Sequence, residues 1–199
     1  MKPDTISNDC QINSSGKLIH LLGLKDLPKK HLENILDRAD GLLGDKGNLK
    51  KSKALKGMSV ANLFFEPSTR TRNTFEIAAK RSSANTINVD LENSATRKNE
   101  TLMDTMQTLK AMQIDMFVIR HKKNGLPHHV AANIEGVAII NAGDGINAHP
   151  TQALLDMLTI RKYKKSFENL SVAIVGDVRH SRVARSGINA LKTLGTNDM

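Results

Sequence analysis

From Gly57 onward, short apolar runs alternate with helical patterns, and this alternation limits the chain to few folds. "GMSVANLFF" reads as a buried strand and "TRNTFEIAAKR" as a helix. "NTINVD", "MFVIRH" and "VAIINAGDG" read as further strands; "ETLMDTMQTLKAM", "LPHHVAANI" and "HPTQALLDMLTIRKYKK" read as the helices between and after them. The strand runs are continuously apolar rather than alternating, as expected where both faces of a sheet are covered. The predicted fold class is therefore α/β, a parallel sheet flanked by helices.

Ahead of the alternation, Leu32, Ile35, Leu36, Ala39, Leu42 and Leu43 fall on one face of a helix that packs on this domain. Residues 1–17 are polar and read as a flexible N-terminal arm. A polar loop, "KKSFEN", places a boundary near residue 165. The domain prediction is thus 1–17 arm, 18–165 main domain, and 166–199 the start of a second α/β domain, with "LSVAIVGD" as its first strand and "SRVARSGINALKTLG" as its first helix. One strand and one helix cannot bury their own apolar faces. Either the sequence is truncated or this segment docks on something else.

The core must be aliphatic, because aromatics are only 3% of the 199 residues and Trp is absent. No apolar run is long enough to span a bilayer, and the first residues lack a signal-peptide pattern, so the expectation is a cytoplasmic protein with no membrane partner. Cys10 has no second thiol to pair with, and no Cys/His spacing suits a metal. Adjacent His128 and His129 read as exposed polar residues. The net charge of +9 points to an acidic partner. Aromatic stacking platforms and a continuous basic stripe are missing, which favours a small anion over nucleic acid.

Open parallel sheets bind ligands beyond the carboxyl ends of their strands. At those ends stand Ser68, Thr69, Arg70, Thr71 and Arg72; Ser94 and Lys98; Arg120 and His121; and Asp144, His149 and Gln152. This is a rim of cations and donors with few nearby carboxylates. Ser68 to Arg72 open a helix, where unpaired N–H groups carry partial positive charge. Hydroxyl donors and planar guanidiniums added there suit phosphate oxygens. Ser68 or Thr69 would also serve as a simple N-cap. No nucleotide P-loop, dinucleotide fingerprint, Ser-His-Asp elbow or Cys nucleophile is present, so no cofactor is expected. The chemistry this suggests is stabilisation of charge on a bound anion.

"FFEPSTRTRNTFE", "SATRKNET", "VIRH", "NAGDGINAHPTQALLDMLTI" and "VAIVGDVRHSRVARS" together resemble the catalytic chains of the aspartate/ornithine carbamoyltransferase family, over Leu18 to Gly195. S-T-R-T-R in the first of these is shared by both branches; "NAGDG…HPTQ" and "HSRVARS" in the last two look like the aspartate branch. The resemblance implies a carbamoyl-phosphate-binding domain followed by part of an aspartate-binding domain. It implies transfer of the carbamoyl group of carbamoyl phosphate to L-aspartate in pyrimidine biosynthesis. By position, it implies that Ser68, Thr69, Arg70 and Thr71 hold the phosphate. Arg120, His149 and Thr71 would polarise the carbamoyl oxygen, and Gln152 would orient the carbamoyl amine. Lys98, with Ser94, would reach into an adjacent subunit of a homotrimer, and Arg182 would bind an aspartate carboxylate.

The same resemblance implies a dihydroorotase-like or regulatory partner chain. Two departures stand out: Asn99 follows the loop lysine where the family has Gly, and the family's H-P-x-P-R segment is absent. An ornithine carbamoyltransferase, or a noncatalytic fragment that binds carbamoyl phosphate or assembles with partner subunits, remains the alternative.

Overall fold

The computed structural model describes residues 9–44, 48–89 and 101–199. Ser94, Lys98 and Asn99 lie outside the described residues. Four parallel strands form one sheet in the order β2-β1-β3-β4: β1 Ser59–Phe64, β2 Asn85–Val89, β3 Met116–His121 and β4 Ala138–Asp144. Among the described residues the α-helices are α1 Lys29–Gly41, α2 Thr69–Arg81, α3 Leu102–Ala111, α4 Leu126–Asn133, α5 Pro150–Tyr163 and α6 Arg182–Leu194. Each apolar run of the alternation up to Asp144 became a strand of this sheet. Among the described residues no helix is long and apolar enough to cross a membrane.

Period-two geometry divides the strand residues between the two faces. Ala61, Leu63, Phe117, Ile119 and Ile139 pack with Met106 of α3 and Leu126 and Val130 of α4. Val60, Val118 and Ala142 pack on the other face with Ala79 and Phe75 of α2. A third cluster joins Leu32 and Leu36 of α1, Ala153, Leu154 and Met157 of α5, and Ala190, Leu191 and Leu194 of α6. The amphipathic stripe read in α1 is what enters this cluster.

Two expectations are corrected here. Part of the expected arm is ordered against the domain: Asp9–Gln11 form a 3-10 turn and Gln11 is buried, while Asn13, Ser14, Ser15 and Lys17 are exposed. The Gln11 side-chain oxygen accepts the N–H groups of Leu22 at 2.6 Å and Gly23 at 3.0 Å. Leu21 in turn pairs in parallel with Ile140, which covers the edge of β4. We expect Gln11→Ala to cost about 1–3 kcal/mol, since it strips the acceptor from two buried donors. Thermal denaturation checks this; an unchanged midpoint would show that the turn does not hold the edge.

The second correction concerns Leu170 to Asp177, which does not form the expected strand. It carries a single bridge, from Ser171 to Asp198, and Val175 is 95% exposed. A strand needs a ladder of partners, and none of the described strands lies beside it. Helix α6 does form, and it buries its apolar stripe on α1 and α5. The helix thus docks on the first domain, while the run before it contributes only Val172 to the packing.

Candidate active site

The strand order reverses between β1 and β3, which opens a crevice at their carboxyl ends. Phe64 stands opposite Arg120, and the Phe65 N–H donates to the Arg120 carbonyl at 2.9 Å. Beyond Phe65 the chain reads Glu66, Pro67, Ser68. Proline disfavours helical geometry in the residue before it, so α2 starts only after Ser68. Ser68 sits at the N-cap, but its hydroxyl makes no capping hydrogen bond. The first-turn N–H groups of Thr69, Arg70 and Thr71 have no intrahelical acceptor. Arg70 is exposed, Thr71 half-buried, and the Arg70 guanidinium has no hydrogen bond or ion pair among the described residues.

Across the crevice, one carboxylate holds two arginines. Glu66 Oε2 lies 3.2 Å from Arg120 Nη2 and 3.4 Å from Arg182 Nη2. Arg120 Nη1 also donates to the Ala142 carbonyl at 3.3 Å, and Arg182 Nη1 to the Gly145 carbonyl at 2.9 Å. The β3–β4 pairing shifts register between Ile119 and His121, so β4 bulges at its end. Gly143 occupies that bulge with φ +133°, and a Cβ there would lie 3.0 Å from Arg120 Nη1 and 3.2 Å from Arg182 Cζ. Only glycine allows both guanidiniums to lie so close to the backbone.

His149 is the N-cap residue of α5, followed by Pro150 at the first helical position, where the missing N–H costs nothing. Its ring makes no capping bond, and its backbone N–H donates to Ser186 Oγ of α6 at 2.8 Å. The imidazole is buried, and burial together with Arg182 and Arg120 lowers its pKa to about 4, against the weaker opposing pull of Glu66. It is therefore neutral at pH 7, with one nitrogen a donor and the other an acceptor. The chemical capacity of this arrangement is hydrogen-bond donation to an anion or a polarised carbonyl from fixed positions.

The structure thus brings Arg120, His149 and Arg182 into one electrostatic neighbourhood. Ser68, Thr69, Arg70 and Thr71 open onto the same end of the sheet. The Gln152 side-chain amide donates to Asp156 at 2.9 Å, one turn along its own helix. Sequence reasoning missed Glu66 and Ser186. The rim has few carboxylates, as expected, but one of them, Glu66, bridges two of its cations, and Asp144 at the end of β4 is buried. The signal for Glu66 was an acid directly after a strand end; nothing in the sequence marked its partners.

His128 is buried on α4 rather than exposed, and burial takes its pKa to about 4 as well. Between pH 6.5 and pH 4 the unfolded chain then binds protons at His128 and His149 that the folded chain refuses. Both contributions are complete above the unfolded value and fall away as pH drops toward the folded one. We expect the melting temperature to fall between about pH 7 and pH 4.5, and His128→Gln to flatten that fall. An unchanged slope in the variant would contradict the burial argument.

Residues 19–162 match the family model described as aspartate/ornithine carbamoyltransferase, carbamoyl-P binding domain. The chain is 77% identical, over all 199 residues, to the aspartate carbamoyltransferase catalytic subunit of Vesicomyosocius okutanii subsp. Calyptogena okutanii, and 73% identical to that of Ruthia magnifica subsp. Calyptogena magnifica. It spans 62% of the length of each. The catalytic subunit of M. jannaschii aspartate transcarbamoylase superposes with a TM-score of 0.78 at 37% identity, over 89% of this chain and 58% of that one. Aspartate transcarbamoylase from Trypanosoma cruzi, in complex with N-(phosphonacetyl)-L-aspartic acid, superposes with a TM-score of 0.80 at 30% identity, over 93% of this chain and 57% of that one. A sheet that reverses its strand order beneath a cation-rich rim, and a match across most of the chain, lead to one assignment: the chain belongs to the aspartate/ornithine carbamoyltransferase family.

Proposed function

We propose that this chain is the carbamoyl-phosphate-binding part of an aspartate carbamoyltransferase. The observation that carries the reading is the meeting of Arg120 and His149 at the strand-order reversal, beside the open N-terminus of α2. The Ser68, Thr69 and Thr71 hydroxyls, the first-turn N–H groups and Arg70 take the phosphate oxygens. Arg120, His149 and Thr71 face the carbamoyl oxygen, and Gln152 orients the carbamoyl amine after releasing Asp156.

The amine of L-aspartate attacks the carbamoyl carbon, negative charge gathers on the carbonyl oxygen, and the C–O bond to phosphate breaks. The amine proton leaves with phosphate or to solvent, giving N-carbamoyl-L-aspartate. Each preorganised donor at that oxygen lowers the barrier by about 3 kcal/mol. Neutral His149 donates there without adding a further positive charge to the pocket. Arg182, held by Glu66 and the Gly145 carbonyl, binds an aspartate carboxylate. Ser94 and Lys98 enter from the adjacent subunit of a cytoplasmic homotrimer. A dihydroorotase-like or regulatory chain is a further partner, and the pathway is pyrimidine biosynthesis.

Thermal denaturation with N-(phosphonacetyl)-L-aspartic acid tests the reading. A ligand that binds only the folded state at about 100 times its Kd adds about 2.7 kcal/mol of stability. Arg70→Ala removes an exposed side chain, so its own midpoint should stay within about 0.5 kcal/mol of the parent, while the ligand-induced rise shrinks. No rise in the parent at millimolar ligand overturns the proposal. A product assay offering aspartate and ornithine separates the two branches and shows whether the chain turns over.

A further inference from the structure

We propose that Asp144 is a positioning residue for the anion site: its buried carboxylate clamps the loop after β3 to the loop after β4 and so sets the spacing between Arg120 and His149. The inference rests on the role proposed above for those two side chains at the carbamoyl oxygen of the bound anion. Asp144 is fully buried, at 0% exposure. Oδ1 accepts the Gly125 N–H at 2.7 Å, at the end of the loop that starts after Arg120 and His121. Oδ2 accepts from Asn147 Nδ2 at 2.8 Å, two residues before His149. The Asp144 backbone closes a tight turn as well, donating to the Ala148 carbonyl at 2.9 Å.

A second layer of bonds runs between the same two loops. The Gly145 N–H donates to the His121 carbonyl at 2.9 Å, and the Ile146 N–H to Asn124 Oδ1 at 2.9 Å. The fit is close: a Cβ on Gly145 would lie 1.9 Å from Asn124 Oδ1. The Gly145 carbonyl also receives Arg182 Nη1, so a second guanidinium hangs on the same loop. A carboxylate suits this place because it offers two acceptor oxygens, one for each loop. Burial pushes its carboxyl above the usual range, while Asn147, Gly125 and the nearby Arg182 favour the ion. An apolar residue of similar size would fill the same volume without that burial cost, but it could hold neither donor.

Asparagine keeps an oxygen for Gly125, and its amide can donate to a flipped Asn147, so Asp144→Asn preserves the clamp. Asp144→Ala removes both arms, and Asn147→Ala removes one. The probe is N-(phosphonacetyl)-L-aspartic acid, whose carbonyl takes the place of the carbamoyl oxygen, titrated calorimetrically into the folded chain, with ring NMR signals of His149 followed in parallel. We expect Asp144→Ala to weaken its binding about tenfold or more, Asn147→Ala by a smaller factor, and Asp144→Asn by no more than about threefold. The ligand-induced shift of the His149 ring should vanish in Asp144→Ala and persist in Asp144→Asn, a split that a purely structural role would not produce. Parent affinity in folded Asp144→Ala overturns the proposal, as does a loss in Asp144→Asn equal to that in Asp144→Ala. Should Asp144→Ala not fold, Asn147→Ala decides: weakened binding supports the clamp and parent affinity rejects it. Arg120→Ala is the reference for the underlying reading. Unchanged affinity for the same ligand there removes Arg120 from the site and the underlying reading with it, whatever the Asp144 variants do.

Discussion

Replacing Arg120 by Ala is expected to weaken binding of a phosphonate ligand about a hundredfold, because charge-assisted hydrogen bonds contribute about 1.5–3 kcal/mol each. The loss has two parts. The guanidinium no longer meets the ligand, and Glu66 is left with Arg182 as its single cationic partner. A carboxylate freed in this way repels the incoming anion. Arg120 lies at the edge of the core, with its Nη1 on the Ala142 carbonyl and its carbonyl engaged by Phe65. The main-chain bond survives the substitution, so the sheet should persist. Calorimetric titration with N-(phosphonacetyl)-L-aspartic acid, alongside circular dichroism, measures both. A folded variant with parent affinity would remove Arg120 from the site.

The largest stability effect is expected at Phe117→Ala, at about 3–5 kcal/mol. Phe117 is completely buried near the start of β3, the strand between β1 and β4, and is the largest of the fully enclosed side chains among the described residues. Its neighbours Leu63, Ile119, Ile139 and Val130 belong to rigid elements that cannot close the void. For a domain of this size the melting temperature should fall by about 10–15 °C. Val175→Ala is the matched control: Val175 lies in an equally apolar stretch of sequence but is 95% exposed, and its truncation should stay within about 0.5 kcal/mol. Scanning calorimetry on both variants tests the assignment of the core. Equal effects would mean that Leu170 to Asp177 is packed after all.

Much of the fold was legible in the residues. Continuous apolar runs marked the buried strands β1, β3 and β4, whereas β2 is largely exposed, and the helices read at 71–81 and 149–165 start at Thr69 and Pro150. The failures share a cause. "VAIVGD" has every local property of a core strand, yet local preference cannot supply a neighbour to pair with. His128 and Gln11 look like surface residues by type, and are buried because one face of α4 and the turn at Asp9–Gln11 pack on the sheet. Partly buried Cys10, in that same turn, packs against the cluster as well.

The candidate site was legible only as an inventory. Arg120, His149 and Arg182 were named from the ends of separate elements. The attachment of Arg120 and Arg182 to Glu66, and their approach to the β4 bulge, depend on register, and register is a relation between strands. The sequence by itself determined the α/β class, the spacing of strands and helices, and which donor-bearing residues fall at strand ends, because these follow from hydrophobic period and backbone chemistry along a single segment. The tertiary structure alone decided the strand order 2-1-3-4, the Glu66 bridge and the depression of His149. Electrostatic coupling and burial depend on distances between segments far apart in the chain, and those distances exist only once the sheet has closed.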